Sequence, residues 1–183
     1  FTLPGVPFLY YGDEIGMQNI EGLGNVEGSY FRSAARTPMQ WEAGGKAGFS
    51  TAEPAEFYLP LDPDPARPNV ADQERDPDSL LHFTRDMLAL RDTYPALGNC
   101  GGFQVLYAVR NQIPAVYLRS WNNENMIVAV NPADFAATAE FTVPAGERLK
   151  QVRSNAVPEF RLDSNCRCIM TLPPQSFYIG MLA

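Results

Sequence analysis

Histidine is almost missing from this chain: His82 stands alone among 183 residues. Cysteine is scarce as well, with Cys100, Cys166 and Cys168 present and no Cys-x-x-Cys pair. Zinc and most transition-metal sites need several of these residue types at short spacing, so no metal site is expected. Cys166 and Cys168 stand two apart in a stretch that reads as strand, facing one side, which is a poor geometry for a disulfide. The thiols are therefore expected to be reduced and structural, in a cytoplasmic setting. Positive charge is limited to 14 Lys and Arg against 21 Asp and Glu, a formal net charge of -7. Nucleic acids and anionic membranes select for clustered cations, so neither is an expected partner. No apolar stretch is long enough for a membrane-spanning helix. The glycine-rich stretch at residues 21–29 lacks a phosphate-cradling spacing, so no nucleotide and no other cofactor is expected.

What is present supports a packed core, with 45% hydrophobic and 19% charged residues. The most telling stretch lies near the start. Val6 to Tyr11 is an apolar run rich in aromatic and β-branched types, bounded by Pro4-Gly5 and by Gly12-Asp13. It reads as a strand buried on both faces, the type found in parallel sheets and barrels. Such a strand cannot pair its own backbone. The chain is therefore expected to be a C-terminal piece of a longer protein, with residues 1–48 poorly anchored when alone.

A long polar segment, Met17 to Asp78, follows. Within it lies Phe31-Arg32-Ser33-Ala34-Ala35-Arg36-Thr37-Pro38-Met39-Gln40-Trp41-Glu42. Guanidinium groups present fixed forks of donors for carboxylates or sugar hydroxyls. An indole face is a platform for the apolar face of a sugar ring. The residues alone favour a plainer arrangement, in which Trp41 fills core beneath the loop and Arg36 pins a carboxylate. Pro54, Pro60, Pro63, Pro65, Pro68 and Pro77 argue against regular structure between residues 54 and 77.

Regular structure is expected from there on. Asp76 reads as an N-cap with Pro77 at the first helical position. Leu80, Leu81, Thr84, Met87, Leu88 and Leu90 then recur at helical spacing, predicting a helix from about Pro77 to Thr93 that Tyr94-Pro95 stops. His82 sits early in that helix and reads as a packing or surface residue. Beyond Gly98 the pattern alternates. Strands are predicted at Phe103–Val109, Ala115–Trp121, Met126–Val130, Ala137–Val143, Leu149–Arg153, Cys168–Leu172 and Ser176–Leu182, an arrangement typical of an antiparallel sandwich.

These motifs carry a resemblance. Pro4 to Gly16 resembles the eighth barrel strand of the α-amylase family of glycoside hydrolases. Arg36-Thr37-Pro38-Met39-Gln40-Trp41 with Ala47-Gly48-Phe49-Ser50 resembles the following loop of its α-glucosidase branch, which includes oligo-1,6-glucosidase and trehalose synthase. Asp76 to Leu81, Leu90-Arg91 and Pro95-Ala96-Leu97 are similar to the eighth helix. The resemblance implies an α+β fragment: residues 1–98 end a (β/α)8 barrel (last βα unit and long loop), and residues 99–183 form an antiparallel β-sandwich domain. It implies a retaining α-glycosidase acting on α-glucosides or short malto- or isomalto-oligosaccharides, whose Asp nucleophile, Glu acid/base and second Asp come from earlier strands. No catalytic residue is then expected in this chain, and Asp13-Glu14 are read as supporting the barrel rim. The expected partners are an oligosaccharide and the N-terminal part of the same barrel. Arg32, Arg36 and Trp41 are the implied substrate-binding residues, with Arg32 closing the pocket around the terminal glucose and Arg36 organising the loop. This chain has Ser33-Ala34 where that branch commonly has Asp-Asn. The alternative from the residues is a non-catalytic carbohydrate-binding sandwich.

Overall fold

The computed structural model describes residues 1–26, 32–144 and 148–182. The end of the glycine-rich stretch, Phe31, and the Ala145-Gly146 pair lie outside them. The chain divides into two compact units. One comprises residues 1–6 and 89–183, the other residues 7–88.

Among the described residues the first unit has eight antiparallel strands: β1 (Gly102–Tyr107), β2 (Ala115–Trp121), β3 (Glu124–Asn131), β4 (Ala137–Thr142), β5 (Leu149–Ser154), β6 (Glu159–Leu162), β7 (Arg167–Leu172) and β8 (Ser176–Leu182). They form a five-stranded sheet in the order β1-β2-β3-β8-β5 and a three-stranded sheet in the order β4-β7-β6. Strand β4 alternates buried and exposed along its whole length, so Ala137, Ala139 and Phe141 face inward. They share one core with Val116 and Leu118 of β2, Ile127 and Ala129 of β3, and Met170 and Leu172 of β7. Both sheets contribute to that core, and its apolar burial is the main source of this unit's stability.

Two expectations change here. Cys166 lies outside β7 with a left-handed backbone, because Asp163 organises a tight turn there. The Asp163 carboxylate accepts from the amides of Asn165 at 2.9 Å and Arg167 at 3.0 Å. Strand β6 went unforeseen, since four mostly exposed residues on a sheet edge carry no clear alternation. Residues 1–5 are also firmly held. The Arg119 guanidinium, fully buried, donates to the carbonyls of Thr2, Gly98, Gly101 and Gly102. Arg91 donates to the carbonyls of Phe1, Leu3 and Gly5 and to Asn99. The Thr2 hydroxyl lies 2.6 Å from the phenol of Tyr117. Carbonyls so placed satisfy a buried cation that has no carboxylate beside it among the described residues.

The second unit has little regular structure. Helix α1 (Val70–Gln73) is a single turn, capped by Asn69, whose side chain accepts from the Asp72 amide. It overturns the expectation that the proline-rich stretch is wholly irregular, since Asn69 supplies a local cap where prolines have ended. Helix α2 (Leu80–Thr93) begins later than expected. Its cap is Ser79, whose hydroxyl accepts from the His82 amide at 3.3 Å and donates to the Gln73 carbonyl at 2.8 Å. Asp76 instead closes its own turn, accepting from the Asp78 amide. Ile15, Met39 and Leu81 form the small core, with Met17 and Val70 against it.

Val6–Tyr11 belongs to no strand. The residue types favour extended backbone, but a strand needs hydrogen-bonding neighbours, and among the described residues none pairs with it. The run is left bare: Phe8 is 96% exposed and Val6 63%.

Candidate functional site

The site lies wholly within residues 7–88, around a cavity of about 420 Å³. Three stretches supply its wall: the turn after the apolar run, residues 36–41, and the loop from Phe49 to Leu59.

Gly12 opens the first stretch with φ of +91°, and a side chain there would meet Met17 at 2.6 Å, so only glycine fits. Asp13–Ile15 then forms one 3-10 turn. Each acidic side chain folds back on local backbone. Asp13 accepts from the Tyr10 amide at 3.1 Å, and Glu14 accepts from the Gly12 amide at 2.8 Å. The pair therefore does not lie on a strand, as the sequence reading had it. Glu14 lines the cavity. Tyr11 lines it too, donating its hydroxyl to the Thr37 carbonyl at 3.1 Å. Burial first, and then a hydrogen bond with Tyr10, hold the Tyr11 phenol above its ordinary pKa, while the nearby Arg36 charge opposes them.

The second stretch is anchored through its backbone. The amides of Val70 and Ala71 in α1 donate to the carbonyls of Gln40 and Trp41. Met39 points into the small core, while Gln40 is completely buried. Trp41 donates its amide to the Ala47 carbonyl at 2.8 Å, closing a turn that brings Phe49 back toward it. Gly48 (φ +64°) packs directly on Trp41, since a Cβ there would sit 3.1 Å from the Trp41 Cβ. Trp41 is 51% exposed and lines the cavity, so it does not fill core as the sequence reading favoured. Its main chain is tied on both sides, which leaves the indole outside.

Arg36 lines the same cavity. Among the described residues its guanidinium makes no hydrogen bond or ion pair, so the expected pinned carboxylate is not there. Arg32 is exposed and is not part of the cavity wall. The structure thus brings Arg36 and Trp41 together and leaves Arg32 apart from them. It adds residues that sequence reasoning passed over: Tyr11, Glu14, Phe49 and Tyr58. The available signal was aromatic residues placed in a glycine- and proline-rich loop, where no packing periodicity calls for them. Among the described residues the wall is aromatic and apolar, with one carboxylate and one guanidinium. Among the described residues of the wall no two carboxylates are paired as glycosidic cleavage requires. Among the described residues no cluster of His, Cys, Asp or Glu could hold a metal ion.

Comparison with known proteins extends this picture. The family described as "Alpha amylase, catalytic domain" matches residues 1–99. The trehalose synthase/amylase TreS of Mycobacterium tuberculosis is 36% identical over 184 residues, covering 97% of this chain and 29% of that protein. A probable oligo-1,6-glucosidase of Bacillus subtilis is 29% identical over 158 residues, covering 72% of this chain and 28% of that protein. Among solved structures, an isomaltulose synthase from Erwinia rhapontici NX5 in complex with sucrose superposes with a TM-score of 0.73 at 26% identity, covering 99% of this chain and 36% of that one. The chain spans about three tenths of the length of these curated relatives. Its first 99 residues carry the family's signature and nearly all of it follows a solved member, and the chain belongs to the α-amylase family.

Proposed function

We propose that this chain is the C-terminal part of a retaining α-glycosidase that acts on α-glucosides or short malto- or isomalto-oligosaccharides, by hydrolysis or by transfer. In this reading residues 1–98 are the last βα unit and long loop of a (β/α)8 barrel, and residues 99–183 are its β-sandwich domain. The catalytic carboxylates come from the N-terminal part of the same barrel, which is the partner of this piece. The observation that carries the reading is the bare apolar run, with Phe8 96% exposed inside the family-matched region. Contiguous apolar exposure of that kind marks a surface that another element covers. Arg32 closes the pocket around the terminal glucose, and Arg36 and Trp41 meet substrate along the cavity wall.

The test is the full-length enzyme on maltose, isomaltose, trehalose and sucrose, with the anomer of the first product read by NMR. Turnover with retained configuration is expected. Replacing Arg32 with Ala should cost roughly 2–4 kcal/mol in kcat/KM, the range for removing a buried charged partner, and Lys should rescue it poorly because it offers no fork. Sugar binding by the whole protein without turnover of any α-glucoside would favour a non-catalytic carbohydrate-binding module instead.

A further inference from the structure

Strand β1 is an open edge of the larger sheet. It ends the order β1-β2-β3-β8-β5, so among the described residues one side of its backbone pairs with no strand. Such an edge is a template for another chain unless charge, proline or strong twist guards it. The other outermost strands carry charge: Lys150 and Arg153 on β5, Glu140 on β4, Glu159 and Arg161 on β6. Strand β1 reads Gly-Phe-Gln-Val-Leu-Tyr, with neither a formal charge nor a proline. The sequence around it is uncharged from Tyr94 to Val109.

Apolar side chains stand outward on this edge. Phe103 is 44% exposed and Val105 52%. Phe103 pairs across the sheet with Arg119 and Val105 with Tyr117, so the two share one face. Phe103 is held there by a ring contact with Tyr117, centroids 5.2 Å apart. Gln104, opposite Leu118, belongs to the other face and is exposed. A register shift after Val105 ends the straight part of the strand.

These features select the occupant. A chain with a net charge of -7 repels its own copies over much of its surface, whereas at β1 two copies meet without opposing charge. The strand is also its own complement. A two-fold axis through Gln104, perpendicular to the sheet, sets two copies antiparallel. Phe103 of each then lies opposite Val105 of the other, and Gln104 lies opposite Gln104. Aromatic with β-branched cross-strand pairs are favourable, and facing glutamine amides can both donate and accept. We propose that β1 is a homodimer edge, at which a second copy of this chain continues the five-stranded sheet in an antiparallel register centred on Gln104. The straight pairing is short, so the association is reversible rather than permanent.

Sedimentation equilibrium of the 183-residue chain over a series of concentrations tests this. A reversible monomer–dimer equilibrium is expected. Val105→Lys should weaken it by about tenfold or more, because it removes two symmetry-related apolar pairs and puts charge on the edge. Phe8→Ser should leave it unchanged, which separates edge pairing from association through the bare run at residues 6–11. In a Cys100→Ser background, Gln104→Cys should form a disulfide between two copies on mild oxidation, since the axis sets that residue beside itself. Thr138→Cys, exposed on β4, should not. Circular dichroism checks that each variant is folded. Monomer at every concentration overturns the proposal. So does a dimer that survives Val105→Lys or is lost in Phe8→Ser, and so does cross-linking of Gln104→Cys no greater than that of Thr138→Cys.

Discussion

At the scale of single residues, the sheet core contains a polar group with nothing to satisfy it. Among the described residues the buried Tyr178 hydroxyl has no hydrogen-bond partner. Its ring lies against Gly180, where an added Cβ would sit 2.5 Å from that hydroxyl, so glycine is required opposite it. Burial raises the Tyr178 phenol from an ordinary 10 to about 12, and the same core raises the Cys168 thiol from 9 to about 11. In both cases the unfolded chain loses its proton first. Stability from these groups is complete below about pH 9 and falls as pH rises, across 9–11 for Cys168 and 10–12 for Tyr178. Tyr178→Phe is expected to leave stability at pH 7 unchanged or raise it by up to about 1 kcal/mol, because it removes an unpaired buried hydroxyl. It should also abolish the upper part of the alkaline loss while the Cys168 part remains. Urea unfolding at pH 7 and at steps from 9 to 12 checks this. A clear loss of stability at pH 7 would mean that the hydroxyl has a partner.

At the scale of elements, the sequence and the structure agree where periodicity is long and disagree where local chemistry decides. Strands β2 and β8 were legible to the residue, since apolar runs between turn residues have one way to bury themselves. Helix α2 was legible by its spacing of leucines, but its start was not. Asp76-Pro77 is a good helix-opening signal, yet Ser79 takes the cap because its hydroxyl reaches both the His82 amide and the Gln73 carbonyl. Gln73 reinforces the same end, accepting from the Leu81 amide and donating to the Ile15 carbonyl. Such bonds span segments and leave no trace in a local pattern. Ser79→Ala should therefore cost about 1 kcal/mol, while Asp76→Ala should cost about half of that or less. Equilibrium unfolding of the two variants settles the order. A larger loss for Asp76→Ala would restore the earlier cap. In the candidate site, Arg36 and Trp41 were legible as a motif. The aromatic partners were not, because Phe49 and Tyr58 lie 8 and 17 residues beyond Trp41 and meet it only through turns around Gly48 and the prolines.

At the scale of the molecule, the chain combines a sheet unit that holds residues 1–5 through Arg91 and Arg119 with a loop-rich unit that carries a cavity of about 420 Å³. Among the described residues that line the cavity Glu14 is the one carboxylate, and it is tied to the Gly12 amide. Loss of either the nucleophile or the general acid removes orders of magnitude from glycoside cleavage, and aromatic contacts cannot replace them. The most direct measurement is release of nitrophenol from an aryl α-glucoside by the purified 183-residue chain, with its sheet content verified by circular dichroism. No release above the buffer blank is expected. Turnover that disappears in Asp13→Asn or Glu14→Gln would contradict the account, because it would place the catalytic carboxylates inside this chain.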